Sequence, residues 1–251
     1  MNKLKKFSLF TWNIANPSAE RAGKQASWLR ERPEDILVLT ETKNSEGCLF
    51  LERYFQAYGY NVISSRPKDK EFGVMIISKF PLSASNFTKH IDYLDSRIVA
   101  AKINHPIGEL EVIGVYVPSR DSSYEKIEKK KHFLKTLLDA LEMISQSSRR
   151  IFCGDLNILE PNHIPHYPFF EKWEYSFYQK LSKYQLKDAF RALNPRAREY
   201  SWVGRTDDGY RYDHCFISKN LLPLVEKCYY LHKPREIRLS DHSALIMELN
   251  S

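Results

Sequence analysis

The stretch Ile151-Phe152-Cys153-Gly154-Asp155-Leu156-Asn157 constrains this chain more than any other: an apolar run that stops at a glycine and then presents a carboxylate and a carboxamide. A short apolar run closed by a turn signal reads as the end of a buried strand. Asp155 and Asn157 sit two apart, so in an extended segment both side chains point into one pocket at the strand's end. A carboxylate that can take a proton from water, beside an amide that can donate to a developing oxyanion, is what phosphate-ester hydrolysis requires. Gly-Asp and Asn are also ordinary turn punctuation, so the stretch takes its weight from other stretches along the chain.

The chain of 251 residues, 43% apolar and 13% aromatic, can bury a sizeable core and is expected to form one domain over 1–251. Its 38 basic and 31 acidic residues leave +7, with a pI near 9.1, which favours an anionic partner without identifying it. Cys48, Cys153, Cys215 and Cys228 are scattered, without a Cys-x-x-Cys pair or zinc spacing, and read as reduced, mostly buried thiols of a cytoplasmic protein. The basic head Met1 to Lys6 resembles the start of a signal peptide, but the apolar run behind it fails at Thr11, Trp12 and Asn13. No export signal and no membrane span are expected.

Phe7 to Trp12 reads as a strand ending at Asn13, and Asn16-Pro17 as the cap and first position of a helix running from Ser18 to Arg32. Asp35 to Thr40 is a nearly continuous apolar strand that runs into Glu41. A carboxylate there is costly unless paired, hydrated or bound to a cation, so Glu41 is either a metal-ligand candidate or a hydrated strand end. A helix from Cys48 to Tyr58 and strands at Tyr60 to Ser64, Phe72 to Ser78, Ile98 to Ile103 and Glu109 to Val117 follow. Tyr116 is a sheet aromatic or a hydroxyl donor to an anion at the rim, and Ser119 and Arg120 suit the second reading. Tyr124 to Ile144 carries Leu134, Leu137, Leu138, Leu141 and Ile144 as a buried helical stripe, with Lys126, Lys129, Lys130 and Lys131 as a solvated face. After Asn157 comes an irregular loop containing Pro161, Pro165 and Pro168, with His163 and His166 read as surface histidines. That loop and a helix from Phe170 to Tyr184 are where substrate choice is expected to reside.

In the last quarter, Tyr200-Ser201-Trp202 precedes a glycine-containing turn and then Tyr210-Arg211-Tyr212-Asp213-His214, and Ser240-Asp241-His242 leads into the final strand. An Asp and a His, each at a strand's mouth, suit a carboxylate that fixes an imidazole toward a scissile phosphate. Spacing leaves open which of Asp213, Asp241, His214 and His242 form that pair. Helices and short, antiparallel strands alternate throughout without a repeat, a linker or a Gly-rich nucleotide signature, which indicates a layered α/β domain rather than a doubly wound parallel sheet.

Thr11-Trp12-Asn13-Ile14, Leu39-Thr40-Glu41-Thr42-Lys43, Gly114 to Pro118, Gly154-Asp155-Leu156-Asn157, Arg211-Tyr212-Asp213 and Ser240-Asp241-His242 together resemble the endonuclease/exonuclease/phosphatase superfamily, in its order and spacing. The Glu-Thr-Lys run and the Trp202 to Asp213 segment look most like its exodeoxyribonuclease III and apurinic/apyrimidinic endonuclease branch. The resemblance implies a four-layer α/β sandwich, two mixed β-sheets face to face with helices outside, and a site at one rim. It implies that Asp213 orients His242, that Asp241 lies near the metal, and that His214 has no chemistry. Glu41 would hold Mg²⁺ or Mn²⁺, Asn13, Tyr116 and Asn157 would hold phosphate oxygens, and Asp155 would position or deprotonate the attacking water. Ala15 stands where some members carry a second metal-site carboxylate, so one metal is expected. Ser119 stands where an Asn commonly follows the Tyr-x-Pro run.

The function so implied is metal-dependent hydrolysis of nucleic acid, with DNA the expected polymer, at abasic sites or 3′ ends, by a monomer. Trp202, Tyr210 and Tyr212 supply an aromatic wall for a base or a base-less sugar, or simply pack a strand corner. The rivals are a phosphatase or phosphodiesterase for a small or lipid-borne ester and a nucleic-acid-binding module without catalysis. The set Glu41, Asp155, Asn157, Asp213, Asp241 and His242 speaks against the last, because binding alone does not need it.

Overall fold

In the computed structural model, which describes residues 6–68 and 70–250, the first half of the chain is β1 (Lys6–Asn13), α1 (Ala19–Arg30), β2 (Ile36–Thr42), α2 (Glu46–Ala57), β3 (Asn61–Ser64), β4 (Gly73–Ser78), β5 (Leu82–Ala84), β6 (Ile98–His105) and β7 (Gly108–Tyr116). The second half is α3 (Tyr124–Glu142), β8 (Arg150–Asp155), α4 (Lys172–Lys180), β9 (Leu186–Asp188), α5 (Ala189–Leu193), β10 (Trp202–Val203), β11 (Gly209–Tyr210), β12 (Asp213–Ser218), β13 (Val225–Leu231), α6 (Lys233–Glu236) and β14 (Ala244–Asn250). Two six-stranded sheets result, ordered β13-β14-β1-β2-β4-β3 and β5-β6-β7-β8-β12-β9, with β10-β11 as a separate ribbon.

Alternation along each strand builds the layers. In β1, Phe7 and Leu9 point between the sheets, with Ile36, Val38, Val112, Ile151 and Cys215. Phe10 and Trp12 point the other way, under Ala22, Ala26 and Leu29 of α1 and Leu51 and Phe55 of α2. Phe152 and Phe216 of the second sheet meet Phe133, Leu134 and Leu137 of α3 and Phe177 of α4. The result is the expected four-layer sandwich, helices outside and sheets face to face. All four cysteines are free and buried, and no helix among the described residues is long and apolar enough to cross a membrane.

Two pairings depart from the expected antiparallel pattern, and they place the site. β1 and β2 are parallel, with Asn13 opposite Thr40. β7 and β8 are parallel, with Tyr116 opposite Asp155. Parallel neighbours end at the same edge, here through the crossover helices α1 and α3. Asp155 is also opposite Asp213 where antiparallel β12 begins. One rim therefore collects the ends of β1, β2, β7 and β8 and the start of β12.

Three local expectations are corrected. The cap of α1 is Ser18, whose hydroxyl accepts from the Arg21 N–H at 3.3 Å; Asn16 turns at φ 39° instead. In α3 Lys130 is 1% exposed, not part of a solvated face. His163 is buried, its Nε2 accepting from the Arg211 N–H at 3.3 Å and its Nδ1 bonding the Pro165 carbonyl at 2.9 Å, whereas His166 is exposed as expected.

Candidate active site

Glu41 reaches the rim through a local irregularity. The β2–β4 register shifts between Thr40 and Thr42, and Glu41 takes a left-handed φ of 58°, so its side chain leaves the alternation of the sheet. Such a conformation in a non-glycine residue carries a backbone cost and clusters at functional sites. The Asn13 amide donates to both Glu41 Oε2 and Asp155 Oδ2, at 2.9 Å each, and is aimed by its Oδ1, which accepts from the Ala15 N–H at 2.9 Å. The Tyr116 hydroxyl donates to Glu41 Oε2 at 3.1 Å. No described residue donates to the other oxygen, Oε1.

Asp155 is buried and doubly held, since its Oδ1 also accepts the Asn157 N–H at 2.9 Å. The glycine before it is obligatory: at φ 135° a Cβ on Gly154 would lie 2.1 Å from the Val115 carbonyl oxygen. Asn157 is left-handed too, at φ 48°. Its side-chain amide donates to the Val117 carbonyl at 3.0 Å, and its own carbonyl accepts from Lys130 Nζ at 2.6 Å. Lys130 also pairs with the buried Glu174 at 2.6 Å. Burial, and then the Asp213 carboxylate, push the Asp155 carboxyl up to about 7, so near neutral pH it is poised between acid and base.

His242 Nδ1 lies 2.7 Å from Asp213 Oδ2, and its Nε2 lies 4.0 Å from Asp155 Oδ2. Ser201 Oγ accepts the backbone N–H groups of Tyr212 and Asp213 at 3.0 Å each. Ser240 Oγ donates to the Asn13 carbonyl at 2.6 Å and accepts the His242 N–H at 3.2 Å, and Trp12 Nε1 donates to the His242 carbonyl at 3.0 Å. Burial alone would depress the imidazole, but Asp213, by charge and hydrogen bond, carries it from 6.5 up to about 9.

Both shifts have the same sign for stability. The His242 contribution, about 3 kcal/mol, is fully present below pH 6.5 and is lost as pH rises through 9. The Asp155 contribution is present below 3.8 and is lost as pH rises through about 7. With metal removed by EDTA, the melting temperature is therefore expected to fall steadily as the pH is raised from mildly acidic to about 9. A calorimetric profile flat over that range contradicts the pairing.

Asp155, Asp213 and His242 are the one group of three or more His, Cys, Asp or Glu side chains among the described residues whose ligand atoms all lie within 4.8 Å of one another. The 2.7 Å contact between His242 and Asp213 is a hydrogen bond that occupies both atoms, so this group reads as a proton-handling chain. Glu41, with a free oxygen on an out-turned side chain, remains the better cation ligand.

Asp241 stands apart from that group. It is exposed, and its Oδ2 accepts from Trp202 Nε1 at 2.9 Å, because successive residues entering β14 face opposite ways. Arg120 is corrected as a phosphate ligand. Its side chain is 2% exposed, and its guanidinium pairs with Glu174 at 2.6 Å and donates to the Phe169 carbonyl at 2.6 Å. Ser119 is exposed on the same turn. Trp202, Tyr210 and Tyr212 do form one wall. Tyr210 and Tyr212 stack at 5.1 Å and 15°, and Trp202 tilts against Tyr210 at 5.5 Å. Tyr167, from the loop after Asn157, extends the stack at 4.3 Å and 20°.

Sequence reasoning missed Tyr167, Lys130, Glu174 and Ser201. It also missed the role of Arg211, fully buried and paired with Glu160 at 2.8 Å and Asp188 at 2.7 Å just ahead of Asp213. Arg211 lies in the Arg-Tyr-Asp motif, and an arginine between two tyrosines just ahead of β12 was a signal that could have been read.

Paired carboxylates, amide and phenol donors and a carboxylate-held imidazole, at one rim of a two-sheet sandwich, define a hydrolase of phosphoric esters. The Endonuclease/Exonuclease/phosphatase family profile matches residues 10–242, and the chain belongs to that family. It is 28% identical over 244 residues to the exodeoxyribonuclease III of Haemophilus influenzae, covering 85% of this chain and 89% of that protein. Its structure resembles an AP endonuclease from Archaeoglobus fulgidus, with a TM-score of 0.80 at 26% identity over 96% of this chain and 98% of that one. The fold is shared with a 3′-5′ exonuclease from Neisseria meningitidis, with a TM-score of 0.82 at 22% identity over 98% of this chain and 100% of that one. The family's hydrolysis is metal-dependent.

Proposed function

We propose that this protein is a nuclease that cleaves phosphodiester bonds of DNA, at abasic sites or 3′ ends, with Mg²⁺ or Mn²⁺ as its metal and a single chain as the working unit. The observation that carries the reading is the Asn13 amide bridging Glu41 and Asp155, which joins a cation ligand and a base in one pocket facing His242. Exodeoxyribonuclease III and AP endonuclease relatives support DNA as the polymer.

The groups bonded to Glu41 are an amide N–H and a phenol O–H, with no thiol or imidazole among them, and the ligand atoms Glu41 itself offers are carboxylate oxygens, which suits a hard divalent cation. Such an ion, held by Glu41, supplies positive charge against the phosphate oxygens. Asp155, ionised above about pH 7, orients the attacking water and takes its proton. Tyr116 remains a donor, since burial and then the Glu41 and Asp155 charges raise its hydroxyl far above the ordinary phenol range. Among the described residues the second N–H of Asn157 is open to a phosphate oxygen, and Tyr116 and Asn13 reach phosphate oxygens by exchanging the bonds they make to Glu41. His242, kept protonated by Asp213, faces the charge that develops on the phosphoryl group.

The test is cleavage of labelled abasic duplex, nicked duplex, single-stranded DNA and RNA with added Mg²⁺ or Mn²⁺. Glu41→Ala is expected to fold, to bind Mg²⁺ poorly and to cleave weakly. Undiminished cleavage in EDTA removes the metal assignment, and turnover confined to small phosphate esters replaces the nuclease reading with a phosphatase.

A further inference from the structure

The segment that delivers His242 to the rim also forms one wall of a second, basic cleft. Arg21, Arg235, Arg238, Val203, Ser240 and Asp241 line a cavity of about 470 Å³. Its three arginines come from different places: Arg21 from α1, Arg235 from α6, and Arg238 from the turn after α6, where its backbone is left-handed at φ 58°. Among the described residues none of the three guanidinium groups pairs with a carboxylate. Arg21 and Arg235 are half-buried and Arg238 is exposed, whereas Arg97, Arg120, Arg150 and Arg211, whose side chains are buried, are each paired with a carboxylate.

Two of the groups are incompletely satisfied. Arg21 donates through Nη2 to the carbonyls of Ala15 at 2.5 Å and Asn16 at 3.3 Å, yet its Nε is buried without a partner, and so is Nη1 of Arg235. Buried donors without acceptors are costly, and a planar fork of N–H groups matches the oxygens of a phosphate. Asp241, the carboxylate in the lining, has its Oδ2 bonded by Trp202 Nε1 at 2.9 Å. The lining therefore holds three cations against one anion.

The cleft is continuous with the catalytic rim. Ser240 in its wall donates to the Asn13 carbonyl at 2.6 Å and receives the His242 N–H at 3.2 Å, and Asp241 precedes His242 in the chain. An anion lodged there lies beside the scissile position without using any group that works on it.

We propose that this cleft is a phosphate subsite, formed by Arg21, Arg235 and Arg238, that holds a backbone phosphate neighbouring the one attacked. The assignment rests on the nuclease reading for its ligand. Its consequence is a division of labour: the rim performs the chemistry on any phosphodiester, and the cleft selects for a polymer over a small ester.

Arg235→Gln and Arg238→Gln, singly and together, test it; Arg21 is left intact because it ties the turn after β1. The logarithm of the dissociation constant of a labelled DNA duplex, in EDTA, is measured against the logarithm of salt concentration. Each lost phosphate contact is expected to reduce the slope by about 0.9, and the double variant to raise KM on duplex on the order of tenfold. The kcat on duplex, and turnover of the p-nitrophenyl diester of thymidine 5′-phosphate, which lacks a neighbouring phosphate, are expected to stay unchanged.

A wild-type protein that binds duplex, beside a double variant with the same slope and KM, overturns the subsite. If the wild type neither binds nor cleaves nucleic acid, the nuclease reading fails separately. Calorimetric titration with inorganic pyrophosphate then decides the cleft: binding lost in the double variant keeps it as an anion site, and binding that is equal or absent in both removes it.

Discussion

His242→Ala is expected to lower kcat by on the order of 10²–10⁴, the usual range for a positioned acid-base or electrostatic group. An imidazole that faces a pentavalent phosphorus centre helps only if its tautomer, charge and angle are set beforehand. Asp213 sets all three through the 2.7 Å bond to Nδ1, and is itself placed by Ser201 and by pairing with β8. Asp213→Asn is therefore expected to cost somewhat less than loss of the imidazole. The double variant should fall well short of the product of the two losses, because the pair acts as a unit. The neighbouring histidine is the control. His214 is buried in β12, its Nε2 bonded to the Ile158 carbonyl at 3.1 Å and its Nδ1 3.5 Å from Asp188, so His214→Ala should retain kcat within a few fold in the folded fraction. An inactive His214→Ala beside an active His242→Ala, measured by single-turnover cleavage, reverses the assignment.

The largest expected effect on stability is that of Lys130→Met. Its ammonium is buried between Glu174 and the Asn157 carbonyl, at 2.6 Å from each, and burial draws its pKa down against the pull of Glu174. Removing one partner of a buried pair costs roughly 3–5 kcal/mol, because the other charge is left without its counterion. The lower end is expected here, since Arg120 still bonds Glu174 at 2.6 Å. Lys126 lies one turn earlier on the same helix, and its pair with Asp121 is more than half exposed on both sides. Lys126→Ala should leave stability nearly unchanged. Urea unfolding midpoints separate the two cases, and equal midpoints refute the buried pair. Loss of Lys130 also frees the left-handed Asn157 from its carbonyl anchor, so kcat should drop even in protein shown to be folded.

The layered α/β class and most of the longer strands and helices were legible in the sequence, because burial imposes a period that the chain must carry residue by residue. Strand β13 and the short elements β5, β9, β10, β11, α5 and α6 were not. Phe7, Leu9, Phe10 and Trp12 already divide into two faces before any partner is known. The site residues at strand ends were legible for a related reason: a carboxylate or amide that closes an apolar run is costly unless something uses it, as with Asn13, Glu41 and Asp155. Choosing Asp213 and His242 over their neighbours needed the resemblance of six motifs, since spacing alone left four combinations.

What the tertiary structure decided concerns partners far apart in the chain. Lys130 looked like one of a solvated row, yet it faces Glu174, 44 residues away. Arg120 looked free for phosphate until the same carboxylate claimed it. Asp241, expected near the metal, also bonds Trp202 through Oδ2 and lines the arginine cleft, contacts that only the direction of the chain entering β14 reveals. That cleft had no trace in the sequence, because Arg21 lies at the opposite end of the chain from Arg235 and Arg238. Periodicity and local chemistry are carried by neighbours along the chain. The pairing of buried charges depends on which elements the sheets bring together, and parallel β1–β2 and β7–β8 are what brought these ends to one rim.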